Sequence, residues 1–122
     1  MKTIPFMVTA AALAGCATSP VPADKLARTQ EVVSTAESIP ATSTDAKAAE
    51  HLQLAKEQLR HAKRLMIEGD NDDARWALMR AESDAEAAIS LAQAQTASAD
   101  AQMTIEQVRQ AMRSMQEKGD GQ

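Results

Sequence analysis

From Lys47 onward, apolar residues recur at helical spacing. Ala48, Leu52, Ala55, Leu59, Ala62 and Met66 alternate steps of four and three, which puts them on one face of an α-helix. The spacing predicts a helix over residues 45–68, with the hydroxyl of Thr44 or Ser43 as its cap. Gly69 ends the pattern. A glycine just past the last periodic residue enters the left-handed conformation without a Cβ clash and stops the helix. Asp70 or Asn71 then caps a following helix, and Asp72 and Asp73 suit the positive end of its dipole. That helix carries a matching stripe of Ala74, Leu78, Ala81, Ala85, Ala88 and Ala92. Two helices joined by so tight a turn, Gly69-Asp70-Asn71, lie antiparallel.

Upstream, Leu26, Val33 and Ala36 mark the apolar side of an expected helix over residues 23–38, which Pro40 ends. Residues 41–44 read as a polar turn. Residues 17–22 carry Pro20 and Pro22 and read as a short, stiff, extended tether. Downstream, neither proline nor glycine interrupts the chain between Asp70 and Gly119. The last helix is therefore expected to reach about Lys118, a length of about 70 Å, with residues 119–122 frayed. The preceding helix can cover it only to about Gln95. Beyond lies a second stripe, Ala101, Ile105, Val108, Met112 and Met115, about half a turn out of phase with the first. A bend at Thr96-Ala97-Ser98 would fold this stripe back onto the bundle. Left uncovered, it is a candidate partner surface, because unbranched methionine adapts to varied contacts and an amphipathic helix seeks a groove or another helix. The expected fold class is all-α: an antiparallel helical hairpin or three-helix bundle with a long C-terminal helix.

The first sixteen residues, MKTIPFMVTAAALAGC, follow a different pattern. Lys2 supplies a positive start, and residues 4–13 form an apolar run broken only by Pro5 and Thr9. Such a run is too short to span a bilayer, which needs about 20 residues, and reads as a cleaved signal peptide over residues 1–15. Leu13-Ala14-Gly15-Cys16 resembles a bacterial lipobox: small residues fit a narrow peptidase cleft, and the Cys16 thiol accepts the diacylglycerol and the palmitate-type acyl chains. Each buried CH₂ then contributes ~0.8 kcal/mol to anchoring. Cys16 is the only cysteine, so no internal disulfide is expected. By resemblance to lipoprotein sorting in enterobacteria, Ala17 rather than aspartate at the second position implies the outer membrane. Residues 16–22 are thus the lipidated tether and residues 23–118 the helical domain.

Composition narrows the chemistry. The net charge of −4 at pH 7 becomes one unit more negative once Lys2 leaves with the leader. This argues against nucleic acid, whose binders are usually basic. Trp76 is the only tryptophan and the chain has no tyrosine; Trp76 is expected to pack on the start of the first helix, or else to sit among headgroups. His51 and His61, ten residues apart, are separated by about 15 Å along a helix and cannot share a metal. Glu57 and His61 could offer two ligands but lack a third, so no metal and no cofactor are expected. The serines lack a histidine base at any motif spacing, there is no glycine-rich phosphate loop, and no enzyme is expected. Arg60, Lys63, Arg64, Arg75 and Arg80 flank the hairpin turn. They read as a solubilising face balanced by Glu57, Glu68, Asp72 and Asp73, or alternatively as a contact for an anionic lipid or glycan.

The segments His51-Leu-Gln-Leu-Ala-Lys-Glu-Gln-Leu, Gly69-Asp-Asn-Asp-Asp-Ala-Arg-Trp76 and Ala81-Glu-Ser-Asp-Ala-Glu-Ala-Ala-Ile89, taken with the lipobox, resemble the small bacterial lipoproteins of domain-of-unknown-function family 4398. The likeness covers about residues 20–94. The turn also looks like a tetratricopeptide turn, but no second copy follows at a fixed period. The resemblance implies an envelope protein of Gram-negative bacteria with no assigned reaction. Some relatives continue into an OmpA-like peptidoglycan-binding domain; here the sequence runs to Gln122, and peptidoglycan contact has no support from these residues. The expected role is that of an outer-membrane-anchored helical lipoprotein facing the periplasm, structural or adaptor in function, with a protein partner or self-association through the C-terminal helix. The alternative is a self-assembling coiled-coil envelope lipoprotein. If the lipobox reading is right, Cys16→Ser abolishes metabolic palmitate labelling and leaves the precursor uncut; labelling that persists in this variant would refute it.

Overall fold

The computed structural model describes residues 19–120, so the leader and the lipobox residues Leu13, Ala14, Gly15 and Cys16 lie outside the described residues. Four helical elements follow one another: α1 (Ala23–Ser38), α2 (Ala41–Thr44), α3 (Ala46–Glu68) and α4 (Asn71–Asp120). α3 and α4 form the antiparallel hairpin. α1 lies against both, leaning more on α4, and completes a three-helix bundle. The 50 residues of α4 make it about 75 Å long. It is helical through Gly119 and Asp120, slightly beyond the expected end at Lys118. It also runs through Thr96, Ala97 and Ser98 without interruption, so the bend that would fold its far half back does not occur.

Alanine builds the seam. Ala48, Ala55 and Ala62 of α3 and Ala74, Ala81, Ala85, Ala88 and Ala92 of α4 are fully buried. Side chains this small let two backbones approach closely but remove little apolar area from water. The largest fully buried side chains are Leu78, Thr29 and Thr42. Leu59 and Met66 of the expected stripe are only half-buried. Leu59 packs against both of two small buried clusters, one that includes Val33, Leu52 and Ala88 and one of Ala62, Ala77 and Leu78. Thr29 takes a core position between Leu26 and Val33 because its hydroxyl donates to the Lys25 carbonyl at 2.8 Å, leaving its methyl to pack.

The connection between α1 and α3 differs from the expected open turn. Residues 41–44 form one helical turn, and Thr42 is buried beneath it. Its hydroxyl lies 2.7 Å from the Ala36 carbonyl and 2.6 Å from that of Ile39, so it supports two carbonyls at the end of α1 whose backbone partners are the short-range N–H groups of Ile39 and Thr42. The Ser43 hydroxyl turns back to the Pro40 carbonyl at 2.8 Å, and that of Thr44 toward Ala41. Neither is left to cap α3. Asp45 caps it instead, its Oδ1 accepting from the Ala48 N–H at 2.8 Å.

At the other end of α3, Gly69 has φ 88° and ψ 2°. The Asp70 N–H donates to the Leu65 carbonyl at 2.9 Å and the Gly69 N–H to the Met66 carbonyl at 3.3 Å. This nested pair is the Schellman arrangement. Asp70 occupies the cap position of α4, its carbonyl accepting from the Ala74 N–H at 2.9 Å; Asn71 is already helical.

Ion pairs tie the three helices together at their edges. Glu82 of α4 accepts from Lys25 at 2.9 Å and Arg28 at 2.7 Å, both on α1; its side chain is only 12% exposed. Lys56 of α3 meets Glu37 of α1 at 2.6 Å, and a hydrogen bond of 3.0 Å joins the His51 ring of α3 to Asp84 of α4. The hydrogen bond from Lys25 does most to hold the Glu82 carboxyl below its ordinary range. The charges of Lys25 and Arg28 add to this, and partial burial works against it.

Two outcomes test these anchors. Any side chain at Gly69 meets open space but must adopt positive φ, so Gly69→Val should lower the unfolding free energy by about 1 kcal/mol or more, and Gly69→Asn by less. Denaturant titrations with unchanged slope would read this directly. For Glu82, a pKa depressed in the folded state means stability present above the unfolded-state value and lost as pH falls through the folded one. Glu82→Gln should therefore cost about 1 kcal/mol near neutral pH, reduced by salt, and the difference from the parent should vanish on acidification below the carboxylate range.

Candidate functional site

The chain's upstream end is fastened to the hairpin tip. The Ser19 hydroxyl donates to Asp72 Oδ2 at 2.8 Å. The Asn71 amide donates to the Ser19 carbonyl at 2.6 Å, and Arg75 to the Pro20 carbonyl at 2.9 Å. Pro22 is buried. The last four residues of the expected tether are thus laid across the α3–α4 turn rather than held clear of it. Asn71 acts as a clamp on this segment, not as a helix cap. Its Oδ1 is buried without a partner among the described residues. Position 16 precedes Ser19 by three residues, a reach of about 10 Å at full extension.

The tip is apolar around its sides and acidic at its end. Ile67 is 86% exposed and Trp76 64%. The expected packing of Trp76 on the start of the first helix is not found. The start of α1 lies on the other side of α4, with Leu26 against the cluster of Ala62, Ala77 and Leu78, and the indole remains in solvent. A shallow groove of about 430 Å³ runs beside Val21, Leu26, Lys63, Met66 and Ile67. Glu68, Asp70, Asp72 and Asp73 stand at or next to the turn and are exposed.

The five basic residues do not form one patch. Arg60 and Lys63 line a second open groove, between α1 and α3, together with Glu37 and Lys56. Arg75 is turned to Pro20 and stands 3.9 Å from Asp72. Arg64 is exposed next to His61, and Arg80 is exposed one turn beyond Trp76 on α4. At the start of the described chain an acid and a base stand side by side, Asp72 on Ser19 and Arg75 on Pro20. His51 is engaged by Asp84 rather than by His61. Among the described residues no three His, Cys, Asp or Glu side chains converge as a metal site, and no helix is long and apolar enough to cross a membrane.

The second surface is the far half of α4. α1 and α3 cover α4 as far as Ala92, the last fully buried residue. Some 28 residues follow, about 42 Å of helix, and among residues 93–119 every one except Glu106 is exposed. Ala101, Ile105, Val108, Met112 and Met115 all face solvent; Ile105 is 58% and Met115 71% exposed. Arg109 pairs with Glu106 at 2.6 Å within the helix. Ser19 and Glu82 were not anticipated as anchoring residues. Glu82 left a usable signal, an acid set between Leu78, Ala81 and Ala85 beside a buried stripe; Ser19 left none, because its partner is 53 residues away.

Among known proteins, no curated protein and no solved structure matches the chain. The sequence model of one family, described as a domain of unknown function (DUF4398), matches residues 24–108. That span begins in the first turn of α1, takes in the whole bundle, and continues past the expected limit near Ala94 to Val108 on the exposed half of α4. The chain is a member of the DUF4398 family.

Proposed function

We propose that this protein is a lipid-anchored helical adaptor of the bacterial cell envelope, with no catalytic role, which presents the far half of α4 to a partner. The observation that carries this reading is the uncovered stripe of Ile105, Val108, Met112 and Met115 on a helix that has left its bundle. Exposed apolar side chains in a row, flanked by polar ones, are a cost in water unless something covers them. The polarity of the fold supports the same reading. Residue 19 is held at one end of the molecule, and the stripe lies at the other. With acyl chains on Cys16, the tip sits against the outer membrane's periplasmic face and α4 projects away from it. The stripe then begins beyond the bundle, clear of the headgroups, where a periplasmic partner can reach it.

A photoactivatable cross-linker at Thr104, beside the stripe, should give discrete adducts in intact envelopes. Ile105→Asp combined with Met112→Asp should remove those adducts while helicity stays within error of the parent, because neither side chain supports the bundle. Unchanged adducts would refute the stripe as a docking face. A large loss of helicity and a much lower melting temperature would mean that it is core.

A further inference from the structure

The apolar stripe of the far half does not stop where the bundle begins. Counting back from Met115 to Ala101, it continues in steps of three and four through Ala97, Ala94, Ser90, Ala87 and Ser83. At the tip it ends on Met79 and Trp76. None of these positions carries a charge, and all are exposed except Ala87, which is half-buried. The face lies opposite the buried seam of Ala74, Ala81, Ala85 and Ala92, so α1 and α3 leave it free along its whole length. Its mean step of about 3.55 residues lies between the heptad value and a straight helix, so a second helix can follow it with little supercoiling.

We propose that α4 pairs in parallel and in register with α4 of a second copy of this chain, along the entire face from Trp76 to Met115. This names the partner of the stripe described above and rests on that reading. Area favours the full length. The far half alone, from Ala94 to Met115, offers a strip about 32 Å long and about 10 Å wide, or about 640 Å² over two copies, which is short of a stable interface. The full face is about 60 Å long and gives about 1,200 Å² in total, the lower bound for a specific dimer. Exposed large side chains sit at both ends of it, Trp76 and Met79 at the tip and Ile105 to Met115 beyond the bundle, with serine and alanine between them where the helices must approach closely.

Two features set the direction. Ser19, the first described residue, is fastened at the tip of each copy, so two copies anchored at one membrane surface as proposed above run the same way. Charge agrees. Arg109 flanks Val108, and in an antiparallel pairing of the far halves it would stand against its own copy. In the parallel pairing it faces Thr104 of the second copy and keeps Glu106. Nearer the tip, Arg75 is held by Pro20 and Asp72.

Single cysteines test the register in the full chain, with the parent, which carries Cys16 alone, as the background. Ala87→Cys and Ile105→Cys lie about 27 Å apart along α4. Under mild oxidation each should form a disulfide-linked dimer as the major species, since only in-register pairing brings like positions within bonding range. Gln110→Cys, on the other side of the helix, should not. As a second readout, Ile105→Asp with Met112→Asp, more than about 40 Å from Trp76, should move Trp76 emission to longer wavelength by separating the copies. Dimers from Ile105→Cys alone would confine pairing to the far half and overturn the full-length face. A mixture that links 87 to 105 when neither variant links to itself would overturn the parallel order. No cross-link above the parent background, together with loss of the envelope adducts in the double aspartate variant, would assign the stripe to a foreign partner; the adaptor reading would then stand and the second copy would fall.

Discussion

The close approach of α3 and α4 along their alanine seam is the constraint from which the rest of the architecture follows. A core position filled by alanine gains contact by proximity rather than by side-chain volume, so the two backbones must lie close over five turns or gain little. That requirement explains the sharp stop at Gly69, where the nested bonds from Asp70 and Gly69 reverse the chain with only these two residues between the helices. It also explains why stability is completed at the margins. A seam of alanine buries modest apolar area, and Glu82, Lys56 and His51 each reach across to another helix at the edge of that seam.

α1 is the element that gives the molecule a direction. It runs alongside α4 from the hairpin tip, held by Leu26, Val33 and the Glu82 ion pairs, and the segment preceding it is clasped by Asn71 and Arg75. The upstream end and the hairpin turn therefore share one pole, and the long free half of α4 forms the other. The free half persists as helix although nothing packs on it. It is rich in alanine, glutamine, methionine and arginine, which lose little on entering a helix, and it is templated by the packed half, so it pays no new nucleation cost.

Two of the three buried polar side chains show the same economy. Thr29 and Thr42 occupy positions that a larger apolar residue would overfill between closely spaced helices. Each disposes of its hydroxyl on a nearby carbonyl, Thr29 on Lys25 and Thr42 on Ala36 and Ile39, and so avoids the cost of an unpaired buried group. Thr42 does more than fill space: it joins the end of α1 to the single turn of α2 and so sets how the chain re-enters the bundle at Asp45.

Local periodicity determined much of this protein. The alternation of Ala48, Leu52, Ala55 and Ala62, and of Ala74, Leu78, Ala81, Ala85, Ala88 and Ala92, was legible because helical phase depends only on neighbours three and four residues away, and every one of those residues is buried. The same holds for Gly69, whose left-handed conformation is a property of one residue, and for the second stripe on α4, whose phase relative to the first already put it on the opposite face. What the sequence alone did not reveal were contacts between residues far apart along the chain. Trp76 looked like a packing residue, yet which side of α4 receives α1 is decided by Leu26, Lys25 and Arg28, about fifty residues upstream, and that side is not the indole's. Asn71 carried the signature of a cap, a local role, and spends its amide on Ser19 instead. The five basic residues flank one turn in the sequence, but in the fold Arg60 and Lys63 line grooves beside α3, Arg75 clasps Pro20, Arg64 stands in solvent beside His61 and Arg80 on the outer face of α4. Whether a polar residue caps, clamps or faces solvent depends on which helix arrives beside it, and that is settled only by tertiary packing.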